Sequence, residues 1–369
     1  MGAGLRERLP AGACEPSPPV GPATPDRAVW HRRPLSSARH PAQPILSLLQ
    51  ERASAGSLPG DRSDPHVICL AIEGGAMRGA VTAGMCVALE RAGLLPAFDR
   101  IYGCSSGALA GCYAAAGQAE RWAHSFEDAA CRAFIDPRRA LRRRPILDLD
   151  YLFDTVCQSR RPLSAAGLAQ GPELRTVAVA ADSGEQRVLA RLTDPVDALA
   201  AVRASCTIPL VAGAPTPFRG ELLVDGGLIE PIPFRAALRE GATHVLVLRS
   251  RNEQWRAIER RTLVERALGR AYPALAPLLD ECHARYNADA ETLADRDRDD
   301  LLQIAPPAGA RLVGRFSTDA AEIAHTVALG AACMARTLAG DPVPAPLGMP
   351  LPAVPAPVPA AVAPAAAAA

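Results

Sequence analysis

Apolar residues in this chain fall into short uninterrupted runs, separated by glycine-rich turns and by stretches of helical period. Residues 67–72 (Val-Ile-Cys-Leu-Ala-Ile) form a continuous run of strand length, the pattern of a strand buried on both faces. It ends in Glu73-Gly74-Gly75-Ala76-Met77-Arg78-Gly79, after which Val81, Met85, Leu89 and Ala92 recur at helical spacing over residues 80–92. A second short strand, residues 99–102, runs into Gly103-Cys104-Ser105-Ser106-Gly107, and a small-residue helix (108–116) and an amphipathic one (120–133) follow. Downstream, a hairpin is predicted over 175–181 and 186–192, and a helix over 195–203. A strand at 222–224 delivers Asp225-Gly226-Gly227, followed by a helix at 233–239 and a strand at 244–248. Residues 257–296 are helical and charged with a break near Pro273 and Pro277; a strand at 301–304 and a helix at 320–338 close the pattern. Such alternation predicts an α/β domain around a mostly parallel sheet, with a helical C-terminal third from about residue 255.

The ends of the chain read differently. Residues 1–60 are rich in Pro, Arg, Ser and Ala, with one short helix expected at 45–53, and residues 341–369 are a Pro/Ala tail; both segments are expected to be disordered, flanking a folded domain at 61–340. A formal net charge of +1 over 369 residues offers no global attraction to nucleic acid or to an anionic surface. One local patch stands out: Arg138, Arg139, Arg142, Arg143 and Arg144, followed by Asp148-Leu149-Asp150-Tyr151-Leu152-Phe153. Its ordinary meaning is a solvated face, and its sharper one is peripheral contact with anionic lipid headgroups. Every basic residue is arginine, so Schiff-base and P-loop lysine chemistry are excluded. Ten cysteines scattered through apolar runs, with no Cys-x-x-Cys pair, predict buried free thiols in a reducing cytoplasm rather than a disulfide framework or a zinc site. No secretory leader, lipidation signal or membrane-spanning run is expected, and neither a metal nor an organic cofactor.

Three motifs carry the chemistry. A serine between two glycines, at a strand-to-helix reversal, exposes its hydroxyl over a helix N-terminus. A glycine-rich turn after the preceding strand points several N–H groups at one place, and a parallel βαβ unit brings both turns to the same edge of the sheet. Asp225 arrives at the end of another strand. Acyl transfer needs a nucleophile, a base and oxyanion donors, and Ser105, Asp225 and the N–H groups of Gly74, Gly75, Ala76 and Met77 supply one of each. An aspartate is a weak base unless desolvation raises its pKa. The glycine turn also half-matches a dinucleotide fingerprint, but the next strand ends in Gly103-Cys104-Ser105 instead of the acidic residue that a ribose requires.

The three motifs in this order resemble the patatin-like phospholipase family, as does the Ala204-Ser205-Cys206-Thr207-Ile208-Pro209 stretch before the aspartate. The resemblance runs from about residue 66 to 338 and implies a three-layer α/β/α fold and a bacterial lipid acyl hydrolase of phospholipase A or lysophospholipase type. It implies that Ser105 is the nucleophile and Asp225 the general base, that Gly74 to Met77 form the oxyanion turn, and that Arg78, Gly79, Gly103, Gly107, Gly226 and Gly227 support the motifs. Arg78 would anchor the turn, meet a phosphate, or pair with a carboxylate. Ala76 departs from the family's third glycine, and a positive φ there would cost about 1 kcal/mol. Two alternatives stand beside this reading: a weak or inactive lipid-binding relative, and a Ser105-Asp225-His244 triad of α/β-hydrolase type. The substrate groove is expected to take its walls from residues 130–170 and 250–300.

Overall fold

The structure, a computed structural model, describes residues 44–340. The expectations for the two chain ends before and after these residues lie outside it. In chain order the helices and strands are α1 (Pro44–Ala55), β1 (Ile68–Ile72), α2 (Ala80–Arg91), β2 (Arg100–Cys104), α3 (Ser106–Ala115), α4 (Ala119–Ala129), α5 (Ala165–Gln170), β3 (Glu173–Ala180) and β4 (Gln186–Leu189). They continue with α6 (Pro195–Cys206), β5 (Thr216–Phe218), β6 (Glu221–Asp225), α7 (Phe234–Arg239), β7 (His244–Leu248), α8 (Leu263–Ala271), α9 (Ala276–Ala294), β8 (Leu301–Ile304) and α10 (Ala320–Ala339). Short 3-10 turns and a π-helical segment at Tyr151–Arg160 complete the path. The π-segment, α5 and β5 have no counterpart in the sequence pattern; each is short and lacks a sustained period.

The eight strands form one sheet in the order β5-β6-β3-β2-β1-β7-β8, with β4 also paired to β3. From β3 to β8 every pairing is parallel, while β4, β5 and β6 are antiparallel to their neighbours. Side chains alternate across the sheet, so β1 sends Ile68, Leu70 and Ile72 into one apolar layer and Cys69 and Ala71 into the other. The first layer holds α1, α2, α3, α4, α6 and α10; the second holds α7, α8 and α9. This is the three-layer arrangement that continuous apolar strands demand.

Helix boundaries follow local chemistry. Asp194 and Asp319 cap α6 and α10 by accepting backbone N–H bonds, Thr262 and Glu265 form a capping box on α8, and α10 stops at Gly340 with φ 80°. One boundary needs correction. The short helix expected at 45–53 is present as residues 44–55, but it belongs to the folded domain and not to a disordered segment: it is fixed there by buried Ile45, Leu46 and Leu49 and by Arg52, which bonds Asp64, Asp99 and the Ala97 and His66 carbonyls. A narrow apolar face and one well-partnered arginine offset the ordering cost that the surrounding composition suggested would prevail.

Candidate active site

The elbow is set by its own neighbours. Ser105 caps α3 with φ 53° and ψ −128°, a strained conformation for a side chain with a Cβ, and its carbonyl accepts from Ala108 and Leu109 N–H. Its own N–H donates to Ser205 Oγ at 3.0 Å, and that hydroxyl donates to the Val177 carbonyl at 2.6 Å. Gly103, Gly107 and Gly79 lie where backbone and Ser106 pack against the elbow too tightly for a side chain.

Sheet register brings the carboxylate to this elbow. Of the β3 residues that pair with β4, Thr176 and Val177 also pair with β2 and Ala178 and Val179 with β6, so β2 and β6 share the edge of β3 opposite β4 and meet end to end. Cys104 is opposite Val177 and Asp225 opposite the next residue, Ala178. Asp225 N–H donates to the Thr207 carbonyl at 2.8 Å, so the 204–209 stretch holds both motif residues, through Ser205 and Thr207. A Cβ on Gly226 would lie 2.2 Å from the Val177 carbonyl oxygen, which explains why glycine follows the aspartate.

Asp225 is 2% exposed. Its Oδ1 accepts from Gly227 N–H at 2.7 Å and from Cys104 Sγ at 3.7 Å, while its Oδ2 is buried and accepts no hydrogen bond from the described residues. Burial pushes this carboxyl up to about 6, and the Gly227 N–H and the nearby Ser105 hydroxyl hold it from rising further. A desolvated carboxylate with one oxygen unengaged near a hydroxyl meets the condition that the sequence set for an aspartate to act as a base. Burial also drives the Cys104 and Cys206 thiols well above their usual range, so neither competes as a nucleophile.

The glycine-rich turn stands against the same elbow: a Cβ on Gly74 would come 2.8 Å from the Cys104 carbonyl oxygen. Of its four predicted donors, two are spent. Gly74 N–H bonds the Pro231 carbonyl and Met77 N–H the Arg315 carbonyl, whereas Gly75 and Ala76 N–H have no recorded partner among the described residues. The oxyanion assignment therefore narrows to Gly75 and Ala76, because loops from elsewhere in the chain claim the outer pair. Ala76 has φ 52°, so the missing third glycine does leave a side chain in the left-handed region.

Residues without a signature in the motifs hold this turn. Ser250 Oγ donates to the Gly74 carbonyl at 2.8 Å, and Ser250 N–H donates to Glu73 Oε2 at 2.7 Å. Glu73 also accepts from Arg249 at 3.0 Å and from the Tyr286 hydroxyl at 2.9 Å, and Arg249 continues to Gln303. All five side chains in this network are buried. Distant hydrogen-bonding residues like these leave no spacing to read; only the buried position of Arg249 at the end of a strand hints at them.

A mostly apolar pocket opens beside Ser105, with a cavity volume of about 50 Å³. Trp122, Phe126, Phe134, Ile135, Leu147 and Leu152 form most of its wall, and Arg315 stands at its edge with Ala76 and Met77. The 130–170 expectation for the groove holds; residues 250–300 are absent from this lining, and α4 and Arg315 take that share. His244 is corrected outright. It pairs with Ile68 at the start of β1, while Ser105 lies beyond the far ends of β1 and β2, where Ile72 pairs with Gly103. A strand's length separates them, and the imidazole instead meets Thr243 and His66. Glu265, Cys282 and His283 form the one group of candidate metal ligands found among the described residues, on α8 and α9; three donors leave it short of a structural zinc set.

Strained serine elbow, buried carboxylate and two unspent N–H donors together have the arrangement that a serine-hydrolase dyad requires, on a three-layer α/β/α domain. Residues 70–238 match the patatin-like phospholipase family. Two bacterial proteins are similar to the chain: the uncharacterized protein YjjU of Escherichia coli is 30% identical over 200 residues (50% of this chain, 52% of that one), and an uncharacterized NTE family protein of Mycobacterium tuberculosis is 33% identical over 177 residues (47% and 45%). The chain thus matches about half the length of these relatives. Among solved structures, human GIVD cytosolic phospholipase A2 aligns with TM-score 0.43 at 10% identity (80% of this chain, 62% of that one), and VipD from Legionella pneumophila with TM-score 0.39 at 13% identity (75% and 67%).

Proposed function

We propose that this chain hydrolyses the carboxylic esters of lipids through Ser105 and Asp225. The observation that carries the reading is the unengaged, desolvated Oδ2 of Asp225 at the elbow that exposes the Ser105 hydroxyl. In the first half-reaction Asp225 takes the hydroxyl proton as Ser105 Oγ attacks the ester carbonyl, and the N–H groups of Gly75 and Ala76 receive the negative charge on its oxygen. Collapse of the tetrahedral species expels the alcohol, which leaves with the proton from Asp225, and the acyl chain remains on Ser105 within the apolar pocket. Water then attacks the acyl-enzyme, with Asp225 again as base, and the fatty acid departs. A pocket walled largely by Trp, Phe, Leu and Ile suits an alkyl chain.

The experiment is a panel of p-nitrophenyl esters and phospholipids against the wild type and Ser105→Ala. Turnover of at least one lipid ester that vanishes in the variant supports the reading; turnover that survives it, or a wild type inert to the whole panel and to a fluorophosphonate probe, rejects it in favour of a lipid-binding relative.

We also propose that the chain works in the cytoplasm, at the inner face of a membrane. Arg138, Arg142, Arg143 and Arg144 are exposed around Leu141, itself 88% exposed, and the same segment continues into the pocket wall at Leu147. Cations beside an apolar tip suit an anionic bilayer, and they would hold the pocket at the lipid. Sedimentation with anionic but not zwitterionic vesicles, reduced in an Arg142→Glu, Arg143→Glu variant, is the expected outcome; equal sedimentation of both proteins would reject it.

A further inference from the structure

Around the oxyanion turn positive charge is in excess. Glu73 is fully engaged by Arg249, Ser250 and Tyr286, and Asp225 belongs to the dyad. Three further arginines flank this turn, none of them in an ion pair among the described residues. Arg78 follows the turn, with its Cβ 3.3 Å from where a side chain on Gly75 would begin, and its Nε is buried with no hydrogen-bond partner. Arg251 follows Ser250, whose side chain also abuts Gly75, and its guanidinium stacks on Trp255 at 3.3 Å. Arg315 bonds the turn through its carbonyl and lines the pocket beside Ser105. Burial lowers Arg78 to about 9, and repulsion from Arg251 and Arg315 adds to it. Arg315 also helps hold the Asp225 carboxyl down. Neighbouring guanidiniums that lack carboxylates call for an anion from outside the chain.

We propose that Arg78, Arg251 and Arg315 form a phosphate subsite beside the oxyanion turn, and that it selects lipids whose headgroup phosphate is an unsubstituted monoester. The inference rests on the lipid-ester reading above and names its substrate class. Arg251 and Arg315 both lie outside residues 70–238, so the family's matched segment does not supply them. The monoester follows from charge and access: a phosphomonoester carries between one and two negative charges at neutral pH and presents three acceptor oxygens, enough for three guanidiniums, whereas a diester carries one charge and a substituent that occupies space.

Two measurements test this. Inorganic phosphate is titrated into the Ser105→Ala protein by calorimetry, with and without Arg251→Gln and Arg315→Gln. The wild-type hydrolysis of a phosphomonoester glycerolipid is then compared with that of a choline phosphodiester lipid of the same acyl chains. Expected are phosphate binding weakened at least tenfold by the two substitutions, and a monoester preference of at least tenfold in kcat/KM that the substitutions bring close to one and that Arg251→Lys, Arg315→Lys partly restores. Phosphate binding with no headgroup preference would assign the site to the free anion and overturn the substrate claim; no phosphate binding would overturn the subsite. If phosphate binds the Ser105→Ala protein yet the wild type hydrolyses no ester, the hydrolase reading fails and the anion site stands.

Discussion

The Ser105 elbow and the Gly75 turn stand side by side at one edge of the sheet, and they are held in different ways. The elbow is mostly a product of nearby chain: its strained φ, Gly103, Gly107 and the first turn of its helix lie between residues 103 and 109, with Gly79 and Ser205 as remote partners. The turn is short of internal support. Pro231, Ser250, Arg315 and, through Glu73, Arg249 and Tyr286 fix it from the rest of the domain. A nucleophile must be strained and exposed, which a tight local reversal achieves by itself. Donors must be aimed at a point in space, which takes restraint from several directions.

This contrast can be broken most severely at the residue where the two halves meet. Asp225→Asn should reduce ester turnover about a thousandfold or more, since the amide cannot take the serine proton. The same change should stabilise the fold. A carboxyl whose pKa rises on folding from 3.8 to about 6 binds more protons folded than unfolded between those values, so stability falls as pH rises through that window and the penalty is complete above about pH 6. The neutral amide escapes it, by roughly 2–3 kcal/mol in chemical denaturation at pH 7. A variant both inactive and less stable would contradict this picture of the site.

The next two changes separate the supports. Ser250→Ala removes the hydroxyl that fixes the Gly74 carbonyl and should lower kcat about 10- to 100-fold with little change in KM, because donors for the developing charge lose their aim. Ser205→Ala should cost less, below about tenfold, since the elbow keeps its other restraints. The reverse order in steady-state kinetics would show that the elbow is the dependent partner. A smaller effect is expected from Ala76→Gly, which relieves the left-handed side chain at φ 52° and should add about 1 kcal/mol of stability, near 2 °C in melting temperature. Smallest is His244→Gln, expected to leave ester kinetics within about twofold, as its ring is at the other end of the strands.

The same contrast explains what the sequence made legible. Continuous apolar runs gave β1, β7 and β8 almost to the residue, because a strand buried on both faces tolerates little else. The elbow was legible because strain and crowding limit which side chains can stand there. The meeting of Ser105 with Asp225 was expected from motif order, but its cause, β2 and β6 sharing one edge of β3, is a matter of register that no local pattern encodes. The supports of the turn were hidden for the same reason: Ser250, Tyr286 and Arg315 are ordinary residues until folding brings them together. Neither the loss of Gly74 and Met77 as donors nor the arginine cluster could be read before those loops were in position.

The claim that the Asp225 carboxylate activates the Ser105 hydroxyl is tested most directly by the rate of fluorophosphonate labelling at Ser105, followed by intact-mass spectrometry across pH. In the wild type the rate should fall about tenfold per pH unit below an inflection near 6, and in Asp225→Asn it should be slower by orders of magnitude with that inflection gone. Labelling of Asp225→Asn at the wild-type rate, or a wild-type rate that is flat through pH 6, would contradict it.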